Sequence, residues 1–179
     1  MRRRSFDRIL TTWFFFLLVV IIASTWLSFK SLERIVANDR RVDFSRSVID
    51  ELEATLSTLK DAEAGQRGFI ITGEESYLDP YDASISRIAE HVRRLGALTA
   101  DDPDQRRSLE VLSRAISTKQ GEMRETIDLR RGVSFAAAQA IILTNEGKRT
   151  MEEIRRIVGL MQSHERDAAR AADGRLRLQ

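Results

Sequence analysis

The chain has 179 residues, with 29 Lys+Arg against 27 Asp+Glu, 42% hydrophobic side chains, two prolines and no cysteine. The missing cysteines exclude disulfides, thiolate zinc sites, iron–sulfur clusters and a cysteine nucleophile, and two histidines, His91 and His164, are too few for a histidine-rich metal site. Twelve aromatics, two prolines and 31% charge match long helices better than a β-sandwich or a nucleotide-binding α/β fold, so an all-α chain is expected.

The N-terminus carries Arg2, Arg3, Arg4 and Arg8 against Asp7, whereas residues 30–179 hold 25 basic and 26 acidic side chains. The body therefore has no surplus of positive charge with which to neutralise phosphates, and nucleic acid is not an expected partner. Between these two parts, residues 9–29 form 21 consecutive uncharged positions. At about 1.5 Å per residue such a helix crosses a hydrocarbon core of about 30 Å. Trp13 and Trp26 stand near its ends and the arginines lie on one side only. This predicts a transmembrane helix in the inner (plasma) membrane, with residues 1–8 cytoplasmic and residues 30–179 periplasmic or extracellular. A cleaved signal peptide fits less well, because the apolar run is long and Ala23-Ser24-Thr25 is a poor exit. Arg3-Arg4-Ser5-Phe6 resembles a twin-arginine signal only over a short stretch.

Beyond residue 30 the hydrophobic period is helical throughout, with breaks at Thr72-Gly73, at residues 99–103, at Gly132 and, more weakly, at Asn145-Glu146-Gly147. Gly73 and Gly132 read as glycines closing helices, and Asp79-Pro80 and Asp102-Pro103 as an N-cap followed by proline in the first turn. Four helices follow, at about 30–72, 75–99, 103–131 and 134–177, the last with a kink near 145. Short connections make neighbours antiparallel, giving an elongated up-down-up-down four-helix bundle after the membrane helix. Its core stripes are Leu78, Tyr81, Ile85, Ile88, Val92 and Leu95 on helix 2, and Leu109, Leu112, Ile116, Met123 and Ile127 on helix 3. On helix 4, Met151, Ile154, Val158 and Met161 lead into Glu165.

Helix 1 departs from this plainness. Its stripe runs Ile49, Leu52, Leu56, Leu59, then Glu63 and Gln66, then Ile70. A carboxylate and an amide in one seam need partners, and Arg67 is adjacent. The cluster is either a polar network that fixes helix register or part of a ligand site. Ala64, Gly65 and Gly68 predict close backbone approach at the same level. By position along the bundle, Tyr77, Tyr81, Arg130, Thr144 and Lys148 are expected at this tip, while Glu165 lies about 45 Å away along helix 4. The remaining charged side chains read as solvated surface. No nucleophile with its base, metal set or phosphate loop occurs, so neither an enzyme nor a cofactor is expected. A second seam, Ile35, Asn38, Val42, Ser45 and Ile49, suggests a homodimer.

The stretch from Leu59 to Tyr81, with Glu63, Gly65, Gln66, Arg67, Gly68 and Gly73, closely resembles the signature of the third class of CHASE domains. The resemblance extends to Leu129-Arg130-Arg131-Gly132, Thr144, Gly147-Lys148, Met151, Ile154-Arg155 and Glu165, covering roughly residues 45–170. It implies a helical extracytoplasmic sensor, flanked by two membrane spans, that passes a small-molecule or protein stimulus to a histidine kinase, diguanylate cyclase or chemoreceptor output. No ligand carries over. After Glu165 no second apolar run follows, so the expectation is a sensor truncated before its second span. The alternative is a membrane-tethered helical spacer or assembly protein without ligand.

Overall fold

The computed structural model describes residues 3–177, with side chains described at Trp13, at 16–22, at 24–26 and at 41–171. Among the described residues every regular element is helical: α1 (Arg3–Thr72), a 3-10 turn (Glu75–Leu78), α2 (Asp79–Leu98), α3 (Pro103–Gly132), α4 (Phe135–Leu143) and α5 (Glu146–Arg177). The chain divides into two compact units, residues 1–42 and 43–179.

In the first unit the backbone is helical from Arg3. Trp13 and residues 16–22 are exposed, and the Trp13 and Phe16 rings meet edge to face at 6.0 Å. Among the described residues no helix is long and apolar enough to cross a membrane. The uncharged run at 9–29 lies in part outside the residues whose side chains are described, as do Ile35 and Asn38 of the expected dimer seam.

In the second unit the pairings between helices define the topology. Glu51 of α1 meets His91 and Arg94 of α2, and Gly65 meets Tyr77 and Tyr81, so α2 runs antiparallel to α1. Glu63, Gln66 and Ile70 meet Lys119, Thr126 and Arg130 in that order, so α3 runs parallel to α1. Gln105 meets Glu165, and Glu122 meets Gly147, so α5 returns antiparallel to α3. This is an up-down-up-down bundle whose fourth leg is α4 followed by α5. The expected stripes of helices 2, 3 and 4 all face its interior, with Ile85 and Val92 only partly covered. On α1 the buried line is Val48, Leu52, Thr55, Leu59, Ala62, Gln66 and Phe69. Ser45, at 2% exposure, also faces this interior, which removes it from a seam with a second chain.

The local chemistry corrects several boundaries. Gly73 closes α1 in the left-handed region (φ +78°), its N–H donating to the Phe69 carbonyl at 2.8 Å. Gly132 does not do the same for α3. It is the last helical residue without a positive φ, and the Val133 and Ser134 N–H groups donate to the Leu129 carbonyl instead. Asp102 caps α3 as expected, accepting from the Asp104 and Gln105 N–H groups at 2.9 and 3.0 Å. Asp79 caps nothing: the 3-10 turn pulls the start of α2 back one residue, so Leu78 occupies the N-cap position without a side-chain bond. The kink near 145 is a complete break. Asn145 adopts φ +60°, which a short polar side chain tolerates, and separates α4 from α5.

Candidate functional site

Where α1 ends and α4 turns into α5, the second unit holds a cleft of about 430 Å³. Its floor is polar and comes from the seam positions of α1 and α3. Lys119, only 2% exposed, extends from α3 to Glu63 at 3.0 Å and to Glu122 at 2.8 Å. Beside it Gln66, at 3% exposure, donates to the Thr126 hydroxyl at 2.6 Å. Burying three charges is costly unless each is paired, and here an ammonium with three N–H donors joins two carboxylates. Among the described residues no buried side-chain nitrogen or oxygen lacks a hydrogen-bond partner.

Arg67 is not the buried partner that adjacency suggested. Its guanidinium lies 3.3 Å from Glu63, but its side chain is 65% exposed and stands at the mouth of the cleft. Lys119 takes the expected place instead. It could have been found in the sequence, because Leu109, Leu112, Ile116, Lys119, Met123 and Thr126 keep the three-four spacing. Its long charged side chain reads as surface only when that register is ignored.

The remaining walls are α4 and the start of α5. Phe135, Ile142 and Leu143 contribute apolar surface, joined by Ile70 and Ile71 of α1. Gly147 in the first turn of α5 lies against the Glu122 carboxylate so closely that a Cβ there would meet Oε2 at 2.6 Å. A carboxylate at this end of a helix is favoured by the backbone dipole. Lys148 completes the mouth, 72% exposed and 4.0 Å from Glu152.

Of the sequence-derived site residues, Glu63, Gln66, Arg67 and Lys148 therefore share one cleft, and Tyr77, Tyr81, Arg130 and Thr144 are not among its lining residues. Tyr77 lays its ring over Gly68 and its carbonyl over Gly65, where an added Cβ would meet the oxygen at 2.8 Å. Tyr81 is buried in the core, and burial pushes its hydroxyl above the usual tyrosine range while Arg124 opposes the shift. Arg130 donates to the Ile70 carbonyl at 2.8 Å, satisfying the end of α1. Its neighbour Arg131 pairs with both oxygens of Glu75 at 2.9 and 2.7 Å, and this holds the Glu75 carboxyl below its ordinary range. Thr144 accepts from the Glu146 N–H at 3.2 Å and so shapes the α4–α5 break.

A second polar contact lies at the opposite end of α3, beside the Asp102–His164 pair at 2.9 Å. Glu165, 5% exposed, accepts from Gln105 at 2.6 Å, and Gln105 also donates to the Met161 carbonyl at 3.1 Å. Among the described residues no group of His, Asp and Glu side chains could hold a metal ion.

Comparison with known proteins agrees with this geometry. The family model of the CHASE3 domain matches residues 38–174. The crystal structure of the Rhodopseudomonas palustris histidine kinase HK9 sensor domain is similar to this fold. Its TM-score is 0.63 at 22% sequence identity, and the match covers 68% of this chain and 95% of that one. Among curated proteins, none matches this chain.

Proposed function

Because the chain belongs to the CHASE3 domain family, we propose that it is the signal-input module of a membrane-anchored bacterial signalling protein. Residues 9–29 anchor it with the N-terminus cytoplasmic, and the bundle lies on the extracytoplasmic side. It works as a homodimer whose output is a histidine kinase, diguanylate cyclase or chemoreceptor module. The similarity to a histidine kinase sensor domain supports the class of output.

One observation carries the placement of the input site. The cleft is bounded at once by the last turns of α1 and the first turn of α5, so a stimulus bound there touches both legs that begin and end the bundle. A ligand shifts a two-state equilibrium only by its differential contacts with the two states. Contacts shared between α1 and α5 supply that difference when one helix moves along the other.

Joining the chain to a second span and a histidine kinase output, then measuring autophosphorylation in membranes, tests the reading. Leu143→Trp, which fills the mouth of the cleft at an exposed position, is expected to change output at least threefold without lowering the melting temperature. Val111→Trp, an exposed position on α3 that does not line the cleft, is expected to change neither. Equal output from both variants would favour the tethered spacer, a reading that the complete internal pairing of Glu63, Lys119 and Glu122 also accommodates.

A further inference from the structure

We propose that the cleft takes a small amphipathic carboxylic acid, its acid group drawn by Arg67 and Lys148 and its aliphatic body covering the apolar wall. The inference rests on the input-site reading and adds the class of ligand.

The volume comes first. A cleft of about 430 Å³ falls within the range that holds small organic ligands and is far larger than a bridging water requires. Charge then selects the sign. Five charged side chains line it: the carboxylates Glu63 and Glu122, and the cations Arg67, Lys119 and Lys148. Lys119 engages both carboxylates, at 3.0 and 2.8 Å. The cations left for an incoming group are the two at the mouth. Arg67 shares Glu63 at 3.3 Å, and Lys148 has Glu152 only at 4.0 Å. Both are well solvated, so a ligand anion gains their field without first breaking a buried pair.

The wall selects the body. Ile71 and Leu143 are 73% and 69% exposed, and Phe135 and Ile142 also stand open to water. Four large apolar side chains around one opening form a surface that gains by being covered. A purely polar anion would leave that surface wet. An alkylamine would bring its charge toward Arg67 and Lys148, and an alkyl alcohol would cover the wall while leaving both cations unanswered. A carboxylate on a short aliphatic chain answers both features.

The test uses the full chain in lipid nanodiscs, titrated calorimetrically with octanoate, octanol, octylamine and acetate against empty discs. Octanoate is expected to saturate and to bind about tenfold more tightly than octanol, with no binding of octylamine or acetate. The pair Arg67→Gln and Lys148→Gln should weaken octanoate about tenfold and leave octanol unchanged. The pair Ile71→Gln and Leu143→Gln should weaken both. All four positions are exposed, so melting temperatures are expected to hold. Tighter binding of octylamine, or octanoate binding that ignores the loss of Arg67 and Lys148, overturns the proposal. The kinase fusion separates this inference from the reading beneath it. Octanoate that binds in the cleft yet leaves output unmoved supports the ligand class and defeats the input role. Output that responds to Leu143→Trp while octanoate fails to bind keeps the input role and overturns the ligand class.

Discussion

Gln66 donates to Thr126 at 2.6 Å, a bond between α1 and α3 that both partners bury completely or nearly so. Thr126 does not depend on it, because its own hydroxyl donates to the Met123 carbonyl at 2.9 Å. Gln66→Leu is therefore expected to cost about 1 kcal/mol or less, the net worth of one hydrogen bond. Gln66→Ala adds a cavity and should cost about 2 to 3 kcal/mol. Urea unfolding of the two variants checks the order; equal losses would mean that the amide, and not its volume, matters.

Lys119 behaves oppositely. Removing it leaves Glu63 and Glu122 facing each other without their shared cation, so Lys119→Met is expected to destabilise by about 3 to 5 kcal/mol. Replacing all three, by Glu63→Leu, Lys119→Met and Glu122→Leu, should restore stability to within about 1 kcal/mol of the parent, since a satisfied ionic cluster contributes little beyond an apolar one. The same denaturation experiment reads both, and a triple variant as weak as the single one would contradict the assignment.

Gly65 and Gly68 distinguish two kinds of close approach. A Cβ at Gly65 would press on main-chain atoms, the Tyr77 oxygen at 2.8 Å and the Tyr81 nitrogen at 3.1 Å, and neither can move without shifting the start of α2. At Gly68 it would press on the Tyr77 ring, which is partly exposed and can swing away. Alanine also gains about 1 kcal/mol of helix propensity at either site. Gly65→Ala is expected to lose about 2 kcal/mol, and Gly68→Ala to stay within about 1 kcal/mol of the parent. Thermal melts that rank them the other way would reject this account.

Asp102 gives a pH dependence. Hydrogen bonds from the Gln105 N–H, then from His164 and the Asp104 N–H, hold its carboxyl below the usual range. A depressed folded pKa means stability present above the unfolded value of about 3.9 and lost as pH falls through the lower folded value. Asp102→Ala should cost about 1 kcal/mol at pH 7 as a lost cap, and the gap to the parent should close below about pH 4. Asp102→Asn, which caps without charge, should start from a smaller gap at pH 7 and lose as much of it in acid, because the change comes from the parent's own carboxyl. A gap for Asp102→Ala that widens in acid would reverse the sign of this argument.

Much of the bundle was legible because period and burial agree in α2, α3 and α5, where the stripe from Leu109 to Ile127 and that from Met151 to Met161 point inward as spaced. The close approach at Gly65 and Gly68 was legible for the same reason, since glycine inside a helix has a local cost that packing must offset. The break at Asn145 was underestimated because Ala136 to Leu143 and Met151 onward each read as good helix, and one left-handed residue interrupts hydrogen bonding without disturbing hydrophobic period. Lys119 was missed for a different reason. Residue type argues for the surface and register argues for the core, and register wins because Glu63 and Glu122 pair with the ammonium. The residues grouped by height along the bundle separated for a geometric reason: Tyr81 and Arg130 share a level with the cleft but not an azimuth.

The left-handed turn at Asn145 ends the helix of α4 and lets α5 begin a helix of its own. From Glu146 to Arg177 it is one uninterrupted rod, about 48 Å long at the helical rise. Its first turn is clamped by Glu122 against Gly147, where even a methyl group has no room. Packed against α3 from Met151 to Glu165, the rod moves as one body. A tilt of about 2° at the clamp displaces the far end by roughly 1.7 Å over that length, so a rearrangement too small to repack the tip arrives at the other end of the helix as a shift the size of a side-chain contact.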